Sequence, residues 1–127
     1  MINNFLIISC IGKDDKLGLR INKDFFIHVL KKVDNKSETL VSEILEFLLK
    51  HKVELNQNFS VIVNQGPGSY SGVRIALSVA KGLEISNKVK LFGFRNTDLK
   101  QFDQENIRQL LKGKLIEKKL IKPIYLS

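Results

Sequence analysis

The chain has 127 residues, with 21 Lys+Arg against 13 Asp+Glu and a formal net charge of +8. That length supports one domain with one core, and 43% hydrophobic with 27% charged residues excludes a disordered chain. There is no apolar run of the roughly 18 residues a membrane span needs and no secretory pattern in Met1-Ile2-Asn3-Asn4-Phe5; the lone Cys10 allows no internal disulfide, so the expected location is cytoplasmic.

Phe5-Leu6-Ile7-Ile8 is a continuous apolar run, the pattern of a strand buried on both faces. Gly12-Lys13-Asp14-Asp15 is turn chemistry, with both aspartates read as solvated, and Leu17 to Ile21 alternates as a second strand would. Asn22-Lys23-Asp24 turns into a third strand, Phe25 to Leu30, where His28 reads as a packed or edge histidine. Three short strands with tight turns predict an antiparallel meander.

Asp34, Asn35 and Ser37 are N-cap candidates for a helix from Glu38 to Lys50. Leu40, Ile44, Phe47 and Leu48 form one stripe, with Val41, Leu45 and Leu49 beside it. Glu38, Ser42, Glu43, Glu46 and Lys50 fill the remaining arc. The apolar arc is wide for a helix covering one sheet face, which predicts a second contact, with a helix or a partner. Lys50, His51 and Lys52 suit the negative end of the helix dipole.

Ser60-Val61-Ile62-Val63 predicts a buried strand, Asn64 to Gly72 a loop, Val73 to Leu83 a helix, and Lys90 to Phe94 a further strand. Such a strand–helix–strand unit makes parallel pairing. The fold class is therefore α/β, a mixed five-stranded sheet in which the meander precedes parallel strand–helix–strand units. Gln104 to Lys112 predicts a last helix, capped by Asp103 and stopped by Gly113. Residues 81–127 hold 11 Lys/Arg against 5 Asp/Glu, so the excess charge gathers in the last third. With Phe102 the one aromatic between Arg95 and Lys122, base stacking has little support and a solvated face is the simpler reading.

The segment Gly66-Pro67-Gly68-Ser69-Tyr70-Ser71-Gly72-Val73-Arg74-Ile75 stands above background. Its glycines permit positive φ and close approach to the backbone, and amides at a helix start can hold an anion. Gly66, Gly68, Ser69, Gly72 and Arg74 are thus a candidate anion site. The spacing fits neither G-x-G-x-x-G nor a P-loop, and Tyr70 stands where a nucleophile elbow needs serine. A tight turn that docks the helix onto the sheet competes with phosphate binding. Gly72, Ala76 and Ala80 then recur every four residues, flanked by Ile75, Val79 and Leu83, and leave the helix apolar nearly all round. Such a helix is central in a core or packed in an interface.

This segment, together with Ala80-Lys81-Gly82-Leu83, resembles the signature G-P-G-S-[FY]-[TS]-G-[LV]-R-I…A-K-G-L of the TsaB (YeaZ) family of Gcp-like proteins. Ser37-Glu38 with Leu40 is similar to the family's S-E-x-L, and Lys122-Pro123-Ile124-Tyr125-Leu126-Ser127 to its terminal P-x-Y-L-R. The resemblance implies a ribonuclease H-like (actin-like ATPase) subdomain over residues 1–100, followed by a basic C-terminal helix and tail, 101–127, in place of most of a second subdomain.

It also implies a role in making N6-threonylcarbamoyladenosine at position 37 of tRNA. The family member is a non-catalytic partner that binds and activates a TsaD-like protein, joined by a TsaE-like ATPase, and that forms a homodimer when alone. The implied partner surface comprises Leu40, Val41, Ile44, Leu45 and Leu48 on the first helix. On the second it comprises Gly72, Ile75, Ala76, Val79, Ala80 and Leu83. Ile8-Ser9-Cys10 carries no aspartate where nucleotide-hydrolysing relatives hold metal-bound phosphates, so no catalytic residue, cofactor or metal is expected. An M22 peptidase label found in the family has no support in these residues. The basic last third is a candidate weak tRNA contact. The alternatives are a small phosphate or nucleotide binder using the Gly66–Gly72 loop, or a degenerate paralogue that only self-associates.

Overall fold

The computed structural model describes residues 3–31, 36–114, 116–118 and 121–124. The elements run β1 (Phe5–Ser9), β2 (Lys16–Ile21), β3 (Asp24–Val29), α1 (Lys36–Lys50), β4 (Ser60–Asn64), α2 (Tyr70–Asn87), β5 (Lys90–Phe94), α3 (Gln104–Lys112) and β6 (Ile116–Glu117). They form one sheet in the order β3-β2-β1-β4-β5-β6. The first three strands pair antiparallel, while β1–β4 and β4–β5 are parallel. The five expected strands are present, and the two-residue β6 adds antiparallel to β5.

Alternation along the strands divides the core in two. Leu6, Ile8, Leu17, Leu19, Val61 and Val63 face α1 and α2. Phe5, Ile7, Ile62 and Phe94 face α3, where Ile107 and Leu110 meet them. Helix α3 starts where expected: the Asp103 carboxylate accepts from the Asn106 N–H at 2.8 Å, and Gly113 closes the helix. Within it Arg108 and Gln109 donate to Glu105 and hold its carboxyl at about 2, well below the ordinary range.

Five local expectations change. Helix α2 is longer than Val73–Leu83 because nothing in Glu84 to Asn87 breaks it; Lys88, at φ 62°, ends it. Ser37 falls within α1, which runs from Lys36, while Asp34 and Asn35 lie outside the described residues. Asp14 is exposed, but Asp15 is buried and its carboxylate accepts from the Gly12 N–H at 2.8 Å. His51 does more than complement a dipole: it stacks on Phe26 at 4.0 Å and meets the Phe47 ring edge-on.

Glu43 is the fifth. Helical spacing puts it on the polar arc, yet it is buried, because α1 lies along the edge strand β3. There Glu43 bonds His28 Nε2 at 2.9 Å and accepts from the Lys31 N–H at 3.3 Å. Removing it leaves two polar groups without that acceptor. Glu43→Ala is expected to destabilise by about 1–3 kcal/mol, read as a lowered urea midpoint; an unchanged midpoint would show that water replaces the carboxylate at no cost.

Candidate functional site: a docked loop and a helix pair

The loop from Asn64 to Tyr70 is held by contacts inside the chain. Gly66 N–H donates to Asn64 Oδ1 at 2.9 Å, Ser69 N–H to the Ile11 carbonyl at 2.7 Å, Gly72 N–H to Ser69 Oγ at 3.3 Å and Val73 N–H to the Ser69 carbonyl at 2.9 Å. Ser69 is the N-cap of α2. Four of the amides that an anion would need therefore already have protein acceptors. Arg74 is not turned into the loop either; its guanidinium lies 5.1 Å from the centre of the exposed Tyr70 ring and donates to the Tyr70 hydroxyl.

The glycines have a packing reason instead. A Cβ on Gly68 would stand 2.8 Å from Ile11 Cβ, and one on Gly72 would stand 2.8 Å from the Cys10 carbonyl oxygen. Gly66 has φ +94° and lies under the Ile124 carbonyl. Each glycine lets the loop press onto the β1–β2 connection or the chain's C-terminal segment. This favours the docking-turn reading of Gly66, Gly68, Ser69 and Gly72 over the anion site.

Beneath the loop, at the ends of β1 and β4, is a polar cluster that sequence spacing does not show. Buried Asn64 Nδ2 donates to Ser9 Oγ at 3.1 Å and to Asn96 Oδ1 at 3.0 Å. Gln65 Nε2 donates to the Lys122 carbonyl, and the Ile124 N–H donates to the Gln65 carbonyl. Asn96, in the turn after β5, carries no motif that would point to Asn64 in advance.

The expected partner surface separates into three groups. Leu40, Ile44 and Leu48 on α1, with Gly72, Ala76 and Ala80 on α2, are buried inside the chain. The small-residue stripe lets α2 lie close on its own sheet, so these six are not available to a partner as the chain stands. Ile75, Val79 and Leu83 are half-buried. Val41 and Leu45 are exposed, at 41% and 52%, and Leu49, their i+4 successor, is exposed at 78%. Leu49 belongs to the same strip, as the four-residue spacing places it, although the expected partner surface left it out.

The outer strips of the two helices lie on the sides that face each other. Glu43 marks the β3 side of α1, and at 3.6 residues per turn Val41 and Leu45 lie nearly half a turn away from it. Lys81 and Glu84 of α2 border a hollow with Leu91 and Ile121, which marks the β5 side. Ile75 and Val79 lie about half a turn from that. Helices α1 and α2 are in contact. Their shared outer seam is thus apolar, with Glu38 and Glu46 exposed on α1 and Arg74 exposed on α2.

Comparison with known proteins bears on the same segment. A family model described as TsaD, tRNA N6-adenosine threonylcarbamoyltransferase, matches residues 32–99, which include both helices and the loop. The tRNA threonylcarbamoyladenosine biosynthesis protein TsaB of Buchnera aphidicola subsp. Acyrthosiphon pisum (strain APS) is 32% identical over 88 residues, 68% of this chain and 40% of that protein. The protein of the same name from Buchnera aphidicola subsp. Baizongia pistaciae (strain Bp) is 44% identical over 52 residues, 41% of this chain and 24% of that protein. Among solved structures, YeaZ from Pseudomonas aeruginosa superposes with a TM-score of 0.69 at 16% identity, covering 89% of this chain and 50% of that one. An uncharacterised protein described as similar to peptidase YeaZ from Pseudomonas aeruginosa gives 0.65 at 19% identity, over 77% and 45%. These structures show a shared fold, and the chain spans less than half the length of the curated relatives it matches. On the family match across both helices, the signature loop and the fold together, the chain belongs to the TsaD/TsaB family as a partial member of the TsaB (YeaZ) type.

Proposed function

We propose that this chain is a non-catalytic TsaB-like subunit in the threonylcarbamoyladenosine modification of tRNA, binding and activating a TsaD-like protein through the outer seam of α1 and α2. The observation that carries the reading is the strip Val41–Leu45–Leu49 beside half-buried Ile75 and Val79, inside the segment that matches the family model. Exposed leucines repeating every turn on a helix are the anchor pattern of helix-on-helix docking. The seam also fits a second copy, so a homodimer in the absence of the partner belongs to the same proposal. A TsaE-like ATPase would join that assembly in the cytoplasm. Residues 1–100 are proposed as the TsaB-like subdomain, with 101–127 as its basic helix and tail and a weak tRNA contact.

The phosphate-binding alternative is disfavoured because four of the loop's amide donors already bond within the chain. The test is to express the tagged chain beside the TsaD-like protein of its own organism, then measure co-purification and the threonylcarbamoyladenosine content of tRNA. The two proteins are expected to elute together, and loss of the chain is expected to lower the modified nucleoside several-fold. Unchanged tRNA in cells lacking the chain would rule the role out. For the tail, Lys112→Gln with Lys122→Gln should weaken retention of tRNA in a gel-shift, with the deficit largest at low salt and shrinking as salt rises; equal retention by both forms at low salt would dismiss the contact.

A further inference from the structure

The sheet face opposite α1 and α2 holds a groove of about 820 Å3, lined by side chains of β1, β2, β3 and α3. Strand register places Phe5, Arg20 and Phe25 side by side across three strands, and directly paired residues share a face. Ile107 and Leu111 of α3 form the opposing wall. Beyond the groove the apolar floor continues along β3, where Ile27 and Val29 alternate with Phe25 onto the same face and are 45% and 62% exposed.

Among the described residues, the charged side chains that line this groove all have one sign. Arg20, Arg108, Lys112 and Lys114 line the groove, and no acidic residue among the described residues does so. Arg108 is engaged by Glu105 at 2.8 Å. The Arg20 side chain, half-buried in its row between two phenylalanines, has no hydrogen bond or ion pair among the described residues. A cation set against apolar surface attracts a counter-charge more strongly than one in open water. The volume lies within the roughly 300–1,000 Å3 of sites for a single small molecule.

We propose that this groove binds a small anionic amphiphile, its apolar chain or ring lying on half-buried Phe25 and Leu111 above the buried Phe5 and Ile107, and its carboxylate or phosphate head held by Arg20 with Lys112 and Lys114. A nucleic acid strand would satisfy the cations and leave the apolar floor unused. The site is independent of the helix seam, which lies on the other side of the sheet.

The test is calorimetric titration of the full chain with decanoate and with decyl phosphate, below micelle-forming concentrations. Decanol carries the tail alone and inorganic phosphate the head alone, and both serve as matched probes. At least one amphiphile is expected to bind one-to-one, tenfold or more tighter than either matched probe, and to weaken as salt is raised. The tighter of the two identifies the head group. Arg20→Gln and Lys112→Gln are each expected to weaken it about three- to tenfold; Lys112 is exposed on α3, so its variant tests the site even if Arg20→Gln fails to fold. The proposal is overturned if neither amphiphile saturates, if decanol or inorganic phosphate binds as well, or if a folded charge variant binds as the parent does.

Discussion

Gly72→Ala is expected to lower the stability of this chain by about 1–3 kcal/mol, although alanine is the better helix former. Gly72 lies in the first turn of α2 with a hypothetical Cβ 2.8 Å from the Cys10 carbonyl oxygen. Backbone cannot rotate out of the way as a long side chain can, so the helix or the β1–β2 connection must move. The same substitution at Gly82, in the same helix, has the opposite sign. No atom lies within 4 Å of a Cβ built there. Gly82→Ala therefore removes only unfolded-state freedom and should stabilise by about 0.5–1 kcal/mol. Thermal melts of the two variants decide the matter. If Gly72→Ala melts at or above the parent temperature, the loop is not held by close packing, and the glycines would again need a ligand to account for them.

This pair also shows what the sequence could and could not convey. The strands were legible because short apolar runs rich in β-branched residues stand between polar and turn segments, as in Phe5 to Ile8 and Val61 to Val63. The capped ends of α3 were legible because Asp103 and Gly113 act locally. The two apolar stripes of α1 were legible as well, but not the division of their roles. Periodicity separates Leu40, Ile44 and Leu48 from Val41 and Leu45, and only the position of α1 over the sheet buries the first three and exposes the other two. Glu43 shows the same limit in reverse: its burial depends on His28 and the Lys31 N–H, which tertiary folding brings alongside. The row Phe5–Arg20–Phe25 was hidden for the same reason, since register across three strands joins residues from three separate segments.

That division makes the proposed partner surface separable from the core by substitution. Ala76 and Ala80 are fully buried. Ala80→Arg forces a long side chain and a charge into packed space, a combination expected to cost more than about 4 kcal/mol. That is comparable with the whole stability of a small domain, about 5–15 kcal/mol, so the variant should lose its cooperative melt and with it every activity. Lost pairing in Ala76→Arg or Ala80→Arg would therefore report an unfolded chain and say nothing of the seam. Leu45→Arg is the informative change. Leu45 is half exposed, so its replacement should alter stability by no more than about 0.5 kcal/mol. A charge set into the centre of a helix-on-helix contact is expected to cost at least about 2 kcal/mol of binding, roughly thirtyfold in affinity. Size-exclusion chromatography with the TsaD-like protein, beside circular dichroism of the free chain, reads both quantities. A Leu45→Arg chain that keeps its fold and still co-elutes with the partner at micromolar concentration would place the contact elsewhere on the molecule. Val41→Arg, one turn earlier on the same strip, should lose pairing in the same way, because a four-residue step keeps it on the face that Leu45 presents.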